Sequence, residues 1–132
     1  MLVDDCDDDN FFHEREIKKH NRGIIVIVKN TGSEALEYLK SNENRKDSHP
    51  ELIFLDINMP YMNGWDFLQE YSQLDKEIQS KALIIMLSTS ENPEDKIKAK
   101  AWSFVYDYIT KPLTKEKLED IIEKYLVSIV ST

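Results

Sequence analysis

Asp56 ends the apolar run Leu52-Ile53-Phe54-Leu55, just before Ile57-Asn58-Met59-Pro60 and Gly64. Three other apolar runs also lead into groups that could do chemistry. Leu2-Val3 runs into Asp4-Asp5, Ala82 to Leu87 into Ser88-Thr89, and Val105 to Thr110 into Lys111-Pro112. If these runs are parallel neighbours, three carboxylates, a hydroxyl and an ammonium meet in the crevice where open α/β sheets bind ligands. Carboxylates a few ångströms apart raise one another's pKa unless a cation sits among them. Hard oxygen donors with room for water suit Mg²⁺. A divalent cation beside a lysine is also what phosphoryl transfer requires, because charge spreads over the equatorial oxygens as the group passes. Asp56 is then the nucleophile, and the product is an acyl phosphate.

The elements that must position these groups follow from the hydrophobic pattern. Short continuous apolar runs read as strands buried on both faces, and here they alternate with amphipathic stretches, as in repeated βα units around a parallel sheet. The predicted strands are Met1 to Val3, Ile24 to Val28, Leu52 to Leu55, Ala82 to Leu87 and Val105 to Thr110. A first helix is expected from about Asp8 to Asn21. Ser33 is the expected cap of a second, carrying Ala35, Leu36 and Leu39 on one side, and Asn63 of a third with Trp65, Phe67, Leu68 and Tyr71. Asn92-Pro93 should start a fourth helix running to Trp102. Thr114 should cap a last one, striped by Leu118, Ile121, Ile122, Tyr125, Leu126 and Ile129. The polar stretch from Ser41 to Pro50 reads as a surface loop.

A chain of 132 residues fits one domain with one well-buried core, and no linker or repeat divides residues 1–132. The formal net charge of -8 argues against a nucleic-acid footprint, which needs clustered Lys and Arg. Cys6 is the single cysteine, so no intramolecular disulfide forms. No apolar stretch approaches a membrane span and no signal core is present, so a cytoplasmic protein is expected.

Taken together, Val3-Asp4-Asp5, Leu55-Asp56-Ile57-Asn58-Met59-Pro60 through Gly64, Ser88-Thr89 and Lys111-Pro112 resemble the receiver domain of two-component response regulators along essentially the whole chain. Each motif alone is weak, but the four in order, each ending a predicted strand, are specific. The resemblance implies a stand-alone receiver of flavodoxin-like (βα)5 fold, a doubly wound five-stranded parallel sheet in strand order 2-1-3-4-5, with no output domain. Asp56 would be the phospho-acceptor, with Asp5, Asp56 and the Asn58 backbone carbonyl holding Mg²⁺ and Asp4 holding one of its waters. Lys111 would pair with the phosphoryl group and with Asp56, its bond to Pro112 being cis. Ser88 and Tyr108 would form the switch, changing the surface of the fourth helix, fifth strand and fifth helix. The implied partners are a histidine kinase or histidine phosphotransfer protein and a downstream protein target, with a phosphorylation-dependent homodimer also compatible with the family. Such a protein promotes its own phosphorylation and dephosphorylation without being an enzyme acting on external substrates.

Two departures stand out. The first strand lacks the usual apolar lead-in, and no glycine precedes Tyr108 in Ser103-Phe104-Val105-Tyr106-Asp107, which bears on the turn before the last strand. Asp7-Asp8-Asp9 could extend the metal site, but acidic residues at the start of a helix are favoured by its dipole, and the cluster reads as that. His13, His20 and His49 lack metal-ligand spacing and read as surface residues. Lys96 to Lys100 read as a solvated face. Two other functions use the same residues. One is a receiver-fold binding module that acts without phosphorylation. The other is a phosphatase with an aspartyl-phosphate intermediate, which needs a second aspartate as general acid where this chain has Asn58.

Overall fold

The computed structural model describes residues 1–41 and 49–130, with side chains described through Tyr125. Five strands, β1 (Leu2–Val3), β2 (Val28–Lys29), β3 (Leu52–Leu55), β4 (Leu83–Ser88) and β5 (Val105–Thr110), form one parallel sheet in the order β2-β1-β3-β4-β5. Between and after them lie α1 (Asp7–His20), α2 (Gly32–Ser41), α3 (Gly64–Tyr71), the single turn α4 (Lys76–Gln79), α5 (Pro93–Lys100) and α6 (Lys115–Val130). The expected fourth and fifth helices are therefore α5 and α6.

Side chains alternate across the strands, which gives each sheet face its own core. Val3, Ile53, Leu55, Ile84 and Met86 meet Ala35, Leu36 and Leu39 of α2 and Phe67, Leu68 and Tyr71 of α3. Leu2, Phe54, Ile85, Leu87 and Ile109 meet Ile17 of α1 and Leu118 and Ile121 of α6. Helices thus cover both faces, as continuous apolar strands require. The side chains of Leu126 and Ile129, the far end of the predicted stripe, and most of the predicted polar loop, residues 42–48, lie outside what is described.

Several boundaries differ from the sequence reading. The second strand is two residues, Val28–Lys29, instead of Ile24 to Val28, because it can ladder only to β1, itself two residues long. Residues 24–27 approach the sheet through the bond from the Leu2 N–H to the Ile27 carbonyl, and Ile25 is left exposed. Thr31, not Ser33, caps α2: its Oγ1 accepts from the Glu34 N–H at 3.1 Å. Ser88 closes β4 from within the strand. The fourth helix stops at Lys100, and the turn α4 went unforeseen because Ile78 is its single buried residue. Lys98 is more than a solvated charge, its ammonium lying 4.7 Å from the centroid of the Trp65 ring.

The turn before β5 manages without glycine. It is closed by a bond from the Val105 N–H to the Trp102 carbonyl at 3.1 Å, and no glycine among the described residues has positive φ. The register then jumps: Ile84 pairs Val105 but Ile85 pairs Asp107, so Tyr106 is an extra residue, a bulge.

Gly64 is required by a close approach. Asn63 caps α3 with a full capping box, its side chain accepting from the Asp66 N–H at 2.9 Å while Asp66 accepts from the Asn63 N–H at 3.1 Å. This seats Gly64 against the loop after β3, where its N–H donates to the Ile57 carbonyl at 2.7 Å. A Cβ there would stand 2.6 Å from the Asp56 carbonyl oxygen and 2.8 Å from Ile57 Cα, both backbone atoms. Gly64→Ala is therefore expected to cost about 1–3 kcal/mol by overpacking, read as a lower urea midpoint. An unchanged midpoint would mean that this loop moves aside freely.

Candidate functional site

Adjacent strand ends bring the predicted residues together. The Asp56 N–H donates to the Val3 carbonyl at 3.0 Å, which sets the end of β3 beside the end of β1. Asp4, Asp5 and Asp56 each present a carboxylate oxygen within 4.8 Å of the others. Asp4 and Asp56 are buried and Asp5 is exposed. Asp4 is fixed twice over: the Cys6 N–H donates to its Oδ1 at 3.0 Å, and the Asn10 side chain donates to its carbonyl at 2.8 Å.

Lys111 enters from the end of β5. Its N–H donates to the Ser88 carbonyl at 2.8 Å, and the Lys111–Pro112 peptide is cis, as the resemblance implied. The ammonium does not sit chiefly on Asp56. It donates to Asp4 Oδ2 at 2.7 Å and to Asp9 Oδ2 at 2.8 Å, with Asp56 Oδ1 farther off at 3.5 Å. Asp9 was read as a helix-dipole residue and is in fact part of this cluster.

The electrostatics follow from this placement. Burial, then the nearby Asp4 carboxylate, pushes the Asp56 carboxyl up to about 6 against the opposing pull of Lys111. Burial alone would lower the Lys111 ammonium, but hydrogen bonds to Asp4 and Asp9 outweigh it and leave the pKa raised. The carboxylate trio has the donor chemistry of a hard divalent cation, and such an ion would offset the charge of Asp4 beside Asp56.

The other candidates stand nearby. Ser88 is fully buried, and its Oγ accepts from the Ser90 N–H at 3.2 Å. The hydroxyl of half-buried Tyr108 donates to the Ser90 carbonyl at 2.8 Å, and the Ser90 hydroxyl donates to Asp95 Oδ2 at 2.5 Å. Ser88 and Tyr108 thus share one residue, Ser90, which hangs on α5. Thr89 and Asn58 are exposed.

Two histidines were misjudged. His13 is 2 % exposed and lines one small cavity with Asp4 and Asp56, its pKa lowered by burial. His49 is also buried, with its Nδ1 at 3.1 Å from the Pro50 carbonyl. His13 was legible in principle: Asn10, His13 and Ile17 recur at helical spacing along α1, and all three are buried.

Known proteins share this chain's sequence pattern and fold. The response regulator receiver domain family matches residues 1–123. Protein PilG of Pseudomonas aeruginosa is 31% identical over 129 residues, 97% of this chain and 87% of that protein. A crystal structure of a two-component response regulator from Cytophaga hutchinsonii superposes with a TM-score of 0.87 at 32% identity, covering 95% of this chain and 93% of that one. Other relatives are longer. The chain spans 58% of the probable methanogenesis regulatory protein FilR2 of Methanothrix harundinacea, at 28% identity, and 14% and 7% of two matching histidine kinases. No helix among the described residues is long and apolar enough to cross a membrane.

Proposed function

The chain belongs to the response regulator receiver domain family, and on that premise we propose that it takes a phosphoryl group from a phosphohistidine donor onto Asp56 and answers by changing its α5–β5–α6 surface. One observation carries this reading above the rest: a buried carboxylate lies within 4.8 Å of two others and 3.5 Å from a half-buried lysine. A carboxylate in that setting is a poised nucleophile with its counter-charge already present.

In the transfer, an Asp56 carboxylate oxygen forms the new bond to phosphorus as the bond from phosphorus to the donor nitrogen breaks, and the nitrogen leaves with its electron pair. Asp4, Asp5, Asp56 and the Asn58 carbonyl would hold Mg²⁺, Asp4 through a water, and the ion would neutralise charge on the phosphoryl oxygens. Lys111 supplies the remaining positive charge. Ser88 can donate its hydroxyl hydrogen to a phosphoryl oxygen, and a rotation of its Oγ toward that oxygen would release the Ser90 N–H. Because Tyr108 hangs on the same Ser90, that release loosens the ring's anchor, a local charge event biasing a two-state element. Histidine kinases or phosphotransfer proteins are the donors, and a protein reading the α5–β5–α6 surface is the target. The reading suits a cytoplasmic signalling protein and makes it an acceptor, not a turnover enzyme.

The test is intact mass after incubation with a small phosphoryl donor and Mg²⁺. A single adduct that disappears with chelator is expected. If folded protein gains no adduct and binds no beryllofluoride, the receiver-fold module acting without phosphorylation takes its place. Sustained turnover of an external phosphomonoester would favour the phosphatase instead.

A further inference from the structure

Lys111 has three N–H bonds and three carboxylates around it, and the three are not equivalent. Two short contacts, at 2.7 Å and 2.8 Å, go to Asp4 and Asp9, while Asp56 stands at 3.5 Å. We propose that Asp9 is a positioning residue that holds the Lys111 ammonium in competition with Asp56, and that it is the partner Lys111 gives up when an anionic group is added to Asp56. The proposal rests on the reading of Asp56 as the phospho-acceptor.

The difference between the two short contacts decides which one yields. Asp4 is 6% exposed in its side chain and already anchored by the Cys6 N–H, so leaving it would strand a buried carboxylate. The Asp9 side chain is 39% exposed on the first turn of α1, where water and the helix N-terminus can take over from the lysine at little cost. The Asp9 contact is therefore the exchangeable one. While it lasts, it withholds an N–H from any oxyanion on Asp56, and its own negative charge opposes the arrival of another. Removing that charge should strengthen binding of a phosphoryl-like anion even though it removes an ion pair from the fold. Those opposite signs separate this role from a structural one, which would weaken both.

Beryllofluoride at saturating Mg²⁺ is the probe, followed by ¹⁹F NMR, with urea midpoints recorded alongside. Asp9→Asn should bind it about three- to tenfold more tightly while its midpoint stays the same or falls slightly. Asp9→Glu, which keeps the charge, should stay within about twofold of the parent. Asp8→Asn removes the same charge from an exposed neighbour and should change affinity by less than about twofold, since a screened charge beyond contact acts weakly. If the parent binds beryllofluoride and Asp9→Asn binds it no better, the role of Asp9 is overturned and the acceptor reading stands. An equal gain in Asp8→Asn also overturns it, because the effect is then general charge and not the Lys111 contact. If neither parent nor variant binds beryllofluoride, the acceptor reading fails and this role fails with it.

Discussion

Asp56→Asn should accept no phosphoryl group from a small donor and yet unfold at a higher urea concentration than the parent near neutral pH. The first half follows from chemistry, since an amide oxygen offers no carboxylate electron pair to phosphorus. The second follows from burial. The carboxyl is raised from its ordinary 3.8 to about 6, so the folded protein keeps a proton there that the unfolded chain has already lost. Between about pH 4 and about 6 the native state binds more protons, and stability falls as pH rises through that window. Above it, the ionised carboxylate costs the fold on the order of 1–3 kcal/mol, and the neutral amide is spared that cost. The stability gap between variant and parent should thus widen from pH 4 to pH 7. It should narrow again with Mg²⁺, which relieves the parent more than the variant. An Asp56→Asn protein less stable than its parent at neutral pH would refute the electrostatic account.

Lys111→Met should have a large effect of the opposite sign. Its side chain is 10% exposed and is the counter-charge to Asp4 and Asp56, both buried. Taking away one partner of a buried ionic cluster leaves uncompensated charge and typically costs about 3–5 kcal/mol. Asp9 can turn to water; Asp4 and Asp56 cannot. Two conditions should return part of the loss: acid, which protonates Asp56, and Mg²⁺, which replaces the missing positive charge among the carboxylates. Urea melts near neutral pH and about pH 5, with and without Mg²⁺, measure all of this. Equal midpoints for variant and parent would show that the cluster is solvated far more than its burial implies.

These effects depend on residues that differ in how openly the sequence declares them. Asp56, Asp4, Asp5, Ser88 and Lys111 were legible because each ends an apolar run, and a buried parallel strand has to stop where polar groups begin. Their convergence follows from the sheet order. Asp9 was not legible. Its partner is 102 residues away, and nothing in Asp7-Asp8-Asp9 marks which of three acids turns inward. His13 was misread because it was sought as a metal ligand and not as a member of the buried stripe with Asn10 and Ile17. The short β2 was hidden for another reason. Ile24, Val26 and Val28 do pack against the core, but hydrogen bonding is limited by the length of the neighbouring strand, which no pattern within residues 24–28 reports.

The bulge at Tyr106 divides β5 into two parts with separate obligations. Behind it, from Asp107 to Thr110, pairing with β4 runs in step, Ile85 with Asp107 through Ser88 with Thr110, and delivers Lys111 to the carboxylates. Ahead of it, the chain has slipped by one residue, and the slip goes no farther. The bulge therefore works as a slack loop in a drive belt. One residue of extra length ahead of Asp107 is held there, and the pairing that places the lysine stays in step.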